Sequence, residues 1–460
     1  MGETRNLDYL NELKQLLSAD QVSINQTMLE QHGRDEGYQP VSLPDVVVFP
    51  KKTEEVSKVL AFANERCIPV VPFGLGTSLE GHVIPYHGGI SLDMSLMNQI
   101  IEIREGDFLV KVQPGMTRTQ LNKELKKYGL FFSVDPGADA TLGGMAATNA
   151  SGTTSVKYGI MRDQVRDLKV VLASGEVIHT GGLSAKSSSG YHLNGLMVGS
   201  EGTLGVITEL TLRVYGIPES IMAARASFPT IQAAVHAVTG ILQAGIPIAR
   251  IELVDEHSIK QVNKYNELEY EEKPTLFLEF HGNEAGLKRD VEFTQEIVSD
   301  FECTHIQFET DTKARTDLWE VRHNLAYAFI HGFPGKRMMV TDVSLPLTEL
   351  AGAIINAREV IEKENMHGAL LGHVGDGNYH AILMTDMNNE EEVEKANRIN
   401  AHLVGYALER GGTCTGEHGV GVGKAGYQRT EHGAAYDVMK AIKQILDPNN
   451  ILNPGKIFVD

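Results

Sequence analysis

Two short stretches carry side chains able to do chemistry: Gly372-His373-Val374-Gly375-Asp376-Gly377-Asn378-Tyr379-His380 and Gly416-Glu417-His418-Gly419. Together they offer three imidazoles and one carboxylate, each close to glycine. Two imidazoles and a carboxylate are a common ligand set for a divalent ion that does chemistry, because coordination positions remain for a substrate. The remaining imidazole, His418, adjoins the carboxylate, where an acid or base is useful. His373 and His380 are seven residues apart, a spacing that would put them on opposite faces of a continuous strand. They converge only if the chain turns through Gly375 and Gly377. Cys414 lies three residues before Glu417; it reads as a small buried side chain in a tight loop rather than as a thiolate ligand.

Three glycine-rich stretches in the first half, residues 74–82, 135–152 and 199–207, are separated by strands. Glycine repeated in this way means that backbone must approach something closely. Successive N–H groups at Gly74, Gly76, Thr77 and Ser78 could form an anion nest for a pyrophosphate. A nucleotide site of the Gly-x-Gly-x-x-Gly type is not expected, since Leu79 stands where its last glycine belongs, and a Walker A loop is absent.

Length and composition bound the rest. A chain of 460 residues, 42% hydrophobic and 22% charged, suits a globular protein of two or three domains. The net charge of −19 argues against nucleic acid and against anionic lipid as general partners. Three cysteines, Cys67, Cys303 and Cys414, form no pair of metal or redox type, which points to a reducing compartment. The first 25 residues lack an apolar core or an Arg-rich amphipathic character, and no run of about 18 apolar residues occurs. The expected location is the cytoplasm, with peripheral association to a membrane electron-transfer complex as the variant of that reading. A homodimer is the default assembly.

The elements that must position these groups follow from periodicity. The pattern predicts a short leading helix over 6–17, a strand at 46–50, a helix from Thr53 as N-cap to Ala63, and a strand at 68–73 entering the first glycine loop. Strands at 89–93, 100–104 and 109–112, a helix over 118–128, a hairpin of 169–172 with 177–179 and a strand after the third glycine stretch, ending near Val214, complete the first half. The second half alternates helices (231–245, 287–301, 316–332, 347–365, 390–410) with strands (248–254, 275–281, 305–310, 338–345, 379–384). That reads as an α+β domain with an antiparallel sheet and helices on one face. The expected boundaries are an N-terminal helical segment at 1–40, a first domain at 41–218, a cap or substrate domain at 219–410, and a C-terminal segment at 411–460 that returns to the first domain with part of the site.

The glycine stretches resemble the phosphate-binding and flavin-contacting segments of the vanillyl-alcohol-oxidase (PCMH) type FAD domain. Arg322-His323-Asn324, Thr341-Asp342, the two histidine motifs and the closing Leu446-Asp447-Pro448-Asn449-Asn450-Ile451-Leu452-Asn453-Pro454-Gly455-Lys456 resemble, in order, the FAD-linked 2-hydroxy-acid dehydrogenases. That group comprises FAD-linked D-lactate dehydrogenases, glycolate oxidase flavin subunits and D-2-hydroxyglutarate dehydrogenases, and the likeness spans about residues 40–458. The resemblance implies non-covalent FAD held through Pro72, Gly74, Gly76, Thr77, Ser78, Gly81, Pro136, Gly137, Asp139, Thr141, Gly144, Asn149, Gly152, Glu201, Gly202, Val206, Ile207 and Asn453. His82 stands where relatives usually carry glycine; it counts with the cofactor loop, as a plain variant rather than a covalent flavin attachment. The likeness further implies a divalent metal (Zn, Mn or Fe) on His373, His380 and Glu417, with His418 as base.

The chemistry so implied is oxidation of a 2-hydroxy acid to the 2-oxo acid, with hydride transfer to flavin and electrons passed to an external acceptor or a partner iron–sulfur subunit. Arg322 is the expected cation for the substrate carboxylate; Asn324, Tyr327 and Asp342 are supporting polar groups. Ala326 and Val340 are apolar where the hydroxyglutarate branch is polar, which favours D-lactate or glycolate, although Lys336 or Arg337 could supply that charge. The readings set against this one are D-2-hydroxyglutarate oxidation, a metallohydrolase, and a non-catalytic flavin-binding subunit.

Overall fold

The computed structural model describes residues 9–459. Two compact units emerge, one formed by Met1–Ser151, Gly159–Ile217 and Glu417–Asp460, the other by Gly152–Tyr158 and Pro218–Gly416. The seam after the second unit thus falls at Gly416, six residues beyond the expected 410. A seven-residue piece from the first half, Gly152–Tyr158, packs with the second unit. Periodicity could not reveal that piece, because it is a matter of contact and not of pattern.

The first unit holds two sheets. In one, Val46–Val48, Ile90–Asp93 and Val70–Phe73 run parallel, and Val22–Ser23 adds antiparallel to the edge. The strands Val46–Val48 and Ile90–Asp93 are buried at every position, as a parallel sheet covered on both faces requires. The helix Thr53–Glu65 makes the crossover between strands. Thr53 is not its cap, as expected, but its first residue: the hydroxyl is buried and donates to the Thr208 hydroxyl at 3.1 Å. Of the expected leading helix, Leu10–Leu16 is helical, and residues 6–8 lie outside the described residues. The second sheet is antiparallel, in the order Ile100–Arg104, Leu109–Val112, Val206–Arg213, Val165–Val171, Val177–His179. Its core takes in Met145 and Ala146 of the helix Leu142–Thr148.

The second unit is built on an eight-stranded sheet whose central strands are Ser220–Ser227, Thr275–Gly282, Ile248–Val254, Gly368–Gly372 and Asn378–Thr385. Phe277, Val254, Leu371 and Ile382 of one face pack with the helices Glu256–Asn266, Thr312–His323 and Leu325–Gly332. Ala224, Leu276 and Leu278, which alternate with them, are buried as well. Two strands, Ser220–Ser227 and Gly368–Gly372, were not expected; the first is alanine-rich and the second is only five residues bounded by glycine.

Two expected elements are broken, and both breaks serve the site. The helix expected over 316–332 is two helices, Thr312–His323 and Leu325–Gly332, joined at Asn324. The strand expected over 338–345 is interrupted at Thr341 and Asp342, leaving Arg337–Val340 and Val343–Ser344.

The turn between Gly368–Gly372 and Asn378–Thr385 closes on Gly377, whose φ is +76° and whose added Cβ would lie 2.0 Å from the Leu345 carbonyl oxygen. Gly377→Ala is expected to cost at least about 1–2 kcal/mol from the left-handed backbone alone. Differential scanning calorimetry should show a midpoint lowered by several degrees; an unchanged midpoint would mean that the turn relaxes without penalty.

Candidate functional site

The hairpin joins Leu371 to His380 in antiparallel register, so His373, two residues on from Leu371, shares a face with His380. Their rings meet edge to face, with centroids 5.6 Å apart. The Nδ1 atom of His373 donates to Glu252 Oε1 at 2.6 Å, and Glu252 Oε2 accepts from Arg322 Nη2 at 2.9 Å. Glu252 is fully buried in the strand Ile248–Val254. Burial alone would raise its pKa; His373 and Arg322 outweigh burial and hold the carboxyl below the ordinary range. The Nδ1 atom of His380 donates to the Thr341 carbonyl at 3.1 Å and lies 3.6 Å from Asp342 Oδ1. In both contacts Nδ1 is the donor, the arrangement that orients metal-binding histidines.

Asp342, also fully buried, accepts from Asn378 Nδ2 at 2.7 Å, from the Thr415 hydroxyl at 2.6 Å and from the Gly416 N–H at 2.8 Å. It therefore fixes the chain at the residue before Glu417. His373 and His380 stand in the second unit, and Glu417 opens the C-terminal stretch of the first. Cys414 is buried. The donor set fits a divalent ion: two oriented imidazoles and one carboxylate.

Arg322 lies on the last turn of Thr312–His323, its side chain 12% exposed, with one donor given to Glu252. Tyr327 is 57% exposed. Lys336 is held by Glu392 at 2.8 Å. Sequence reasoning missed Glu252; its signal was a carboxylate inside the run Ile248-Ala249-Arg250-Ile251-Glu252-Leu253-Val254, where an unpaired acid would not be tolerated.

Within the first unit, Glu417 Oε2 accepts from the Ser151 hydroxyl at 2.7 Å, a partner the sequence did not suggest. His418 is half-buried. Pro72 lies in the strand Val70–Phe73, and the loop with Gly74, Gly76, Thr77 and Ser78 follows directly. A Cβ at Gly74 would lie 2.5 Å from Thr141 Oγ1, so only glycine lets this loop meet the start of Leu142–Thr148. Thr141 caps that helix through Gly144 N–H at 3.2 Å. Gly144, Ala147 and Thr148 form its uncovered side, whereas Leu142, Met145 and Ala146 are buried. Glu201 N–H donates to the Ala147 carbonyl at 2.8 Å, which brings the third glycine stretch to the same helix. A Cβ at Gly202 would reach 3.0 Å from Pro72. These small, partly open residues make a cradle that side chains would fill, and it fits a dinucleotide.

Other expected contacts have local duties. Asp139 Oδ1 accepts from Thr119 N–H at 3.1 Å, and Asn149, at φ +52°, caps Arg162 N–H. Pro136 and Gly137 lie on the open loop before Thr141. Val206 and Ile207 begin a buried strand. Gly152 packs with the second unit. Gly81, at φ +79°, donates to Asp35 at 2.7 Å. The Glu201 carboxylate is taken by the backbone after His418, accepting from Val420 and Gly421 N–H groups at 2.6 and 2.8 Å. Asn453 Nδ2 donates to the carbonyls of His82 and Glu201.

Family models match the chain as the FAD binding domain over residues 44–181 and as the C-terminal domain of FAD linked oxidases over residues 217–457. A probable mitochondrial D-lactate dehydrogenase of Danio rerio is 46% identical, with 95% of this chain and 89% of that protein covered. The mitochondrial D-lactate dehydrogenase (cytochrome) of Arabidopsis thaliana is 42% identical over 98% of this chain and 80% of its own length. The glycolate oxidase subunit GlcD of Bacillus subtilis is 36% identical over 91% and 89%. Among solved structures, substrate-bound p-cresol methylhydroxylase superposes with a TM-score of 0.80 at 19% identity, covering 100% of this chain and 98% of that one, which shows a shared fold. Among the described residues no helix is long and apolar enough to cross a membrane. With oxidase and FAD-binding models over both halves and relatives at this identity, the chain belongs to the FAD-linked 2-hydroxy-acid dehydrogenases and oxidases, with FAD as its cofactor.

Proposed function

We propose that this flavoenzyme oxidises D-lactate or glycolate to the 2-oxo acid, with a divalent metal held by His373, His380 and Glu417 and with His418 as the base. The observation that carries this reading is the pairing of the two imidazoles across one hairpin, ring centroids 5.6 Å apart, with each held through Nδ1. FAD, when bound, accepts the hydride from C2, and a divalent ion, when bound, polarises the hydroxyl and orients the substrate. His418 removes the hydroxyl proton as the C2–H bond breaks. The substrate gives up two electrons and one proton as hydride and its second proton to His418, and the electrons would pass on to an external acceptor.

Arg322 binds the substrate carboxylate. A guanidinium has five N–H donors, and only one is given to Glu252; its Nε is buried without an acceptor among the described residues. The engagement of Lys336 by Glu392 and the apolar Ala326 and Val340 favour a monocarboxylic acid over 2-hydroxyglutarate. The D configuration follows the names of the relatives.

The test is anaerobic bleaching of the FAD-loaded protein by D-lactate, L-lactate, glycolate and D-2-hydroxyglutarate, before and after chelation. Rapid bleaching by D-lactate or glycolate that chelator abolishes supports the proposal. Bleaching by D-2-hydroxyglutarate alone would overturn the substrate, and bleaching indifferent to chelator would overturn the metal.

Glu252 should matter through His373. Glu252→Gln is expected to weaken metal binding about 10–100-fold, the usual cost of losing a carboxylate behind a histidine ligand. Metal content titrated in the folded protein checks this; an unchanged affinity would remove Glu252 from the site.

A further inference from the structure

The loop that follows the proposed base is gripped by its own unit to an unusual degree. Val420 and Gly421 donate to the two oxygens of Glu201, at 2.6 and 2.8 Å. His82 Nε2 lies 3.3 Å from Glu201 Oε1, and both side chains are almost fully buried. A Cβ at Gly419 would come within 2.6 Å of His82 Nε2 and 2.8 Å of Glu201 Oε1, so the backbone beside His418 lies flat against the pair. On the far side the Glu80 carbonyl accepts from Val422 and Gly423. Glu201 has φ +53°, a left-handed backbone that a non-glycine residue keeps only where surrounding contacts hold it. Asn453 ties the His82 and Glu201 carbonyls together from a third segment, at 3.0 and 2.8 Å.

We propose that His82 and Glu201 form a buried clamp that fixes the 419–421 backbone and thereby aims the His418 imidazole, making them positioning residues for the oxidation. The inference rests on the reading of His418 as the base. A carboxylate at this depth needs a counter-charge beside it as well as hydrogen bonds, and His82 supplies it. Burial disfavours a charged imidazole, but Glu201, with Glu80 and Asp35 behind it, outweighs burial, and the His82 pKa is raised. Burial also opposes the Glu201 carboxylate; His82 and the amides of Val420 and Gly421 outweigh it, and its pKa is lowered. Lys456, which faces Glu201 and Asp35, is pushed down to about 8, chiefly by burial.

The signs set the window in which the clamp holds. The His82 contribution is complete below the ordinary histidine range and is lost as pH rises through its raised value. The Glu201 contribution is complete above the ordinary glutamate range and is lost as pH falls through its lowered value. The clamp therefore holds between the ordinary glutamate range and the raised His82 value, and loosens as pH rises through the latter and His82 loses its proton.

The test uses the FAD-loaded Glu201→Gln and His82→Gln variants beside His418→Asn, with two readouts. The first is hydrogen exchange of the peptide spanning 416–424; the second is the anaerobic rate of flavin reduction by D-lactate with the apparent substrate Kd. Both clamp variants are expected to exchange at least about tenfold faster in that peptide and to reduce flavin at least about tenfold more slowly, with Kd unchanged within about threefold, since small misplacement of a reacting group is costly. Wild-type protection there should fall as pH rises beyond the ordinary histidine range, and that fall should be absent in His82→Gln. Unchanged exchange and rate in the clamp variants, while His418→Asn is slow, would overturn the clamp. Loss of FAD from both variants would overturn it in favour of cofactor retention. A fast His418→Asn with loosened exchange in the clamp variants would overturn the base assignment instead.

Discussion

His418→Asn is expected to slow anaerobic flavin reduction by D-lactate about 10²–10⁴-fold, the range for removing a positioned general base. Asparagine preserves much of the shape and one hydrogen bond but accepts no proton near neutral pH, so it isolates proton removal from packing. Substrate Kd should stay within about threefold, because an interaction used only in the transition state lowers the rate without weakening ground-state binding. The expectation has a structural basis. His418 follows Glu417, whose carboxylate is fixed by Ser151 at 2.7 Å, and precedes the backbone held by Glu201. An imidazole flanked by two anchored residues has little freedom to swing away. Deuterium at C2 of D-lactate should slow the wild-type step, which places C–H cleavage in the measured rate. A His418→Asn rate within threefold of wild type would sink the assignment and direct attention to another acceptor for the hydroxyl proton.

Much of this architecture could be read from the sequence, and the failures share one cause. The turn between His373 and His380 was legible because two glycines stood in a spacing that otherwise sends imidazoles apart, and Gly377 does take a left-handed φ of +76°. The cradle was legible because three glycine stretches in one domain exceed what turns need. The partners that orient those groups were not legible. Glu252 lies 121 residues from His373 and Ser151 lies 266 residues from Glu417, and only tertiary folding joins them. The helix over 316–332 and the strand over 338–345 were drawn too long, because hydrophobic periodicity runs through Asn324 and through Thr341-Asp342 without a proline or glycine to break it. The backbone leaves regular geometry at Thr341 and Asp342 so that a carbonyl and a carboxylate can reach His380. Local rules fail there because the site uses those groups for something other than the strand ladder. Thr53 misled for a similar reason: its hydroxyl, well suited to a cap, is claimed by Thr208 of a strand 155 residues away.

The second large effect is expected from the proposed metal ligands. His380→Ala and Glu417→Gln should each abolish retention of the divalent ion and lower kcat/KM for D-lactate by at least about 10²–10³-fold, since a bound ion stabilises developing charge by several kcal/mol and each 1.36 kcal/mol is tenfold. The two substitutions test different things. His380→Ala removes an imidazole held through Nδ1 by the Thr341 carbonyl. Glu417→Gln preserves size and one oxygen but removes the negative charge from the three-residue set. If the ion's role is charge stabilisation, both variants fail alike, and excess metal restores Glu417→Gln further than His380→Ala, because the amide oxygen can still coordinate. FAD content should be normal in both, which separates metal loss from a collapsed cofactor site. Two results would refute the ligand assignment: metal content by mass spectrometry equal to wild type in both variants, or activity retained after removal of the ion. In either case the His373–Glu252–Arg322 and His380–Asp342 networks would have to be explained as substrate-carboxylate binding alone, with two imidazoles and a guanidinium converging on one anion.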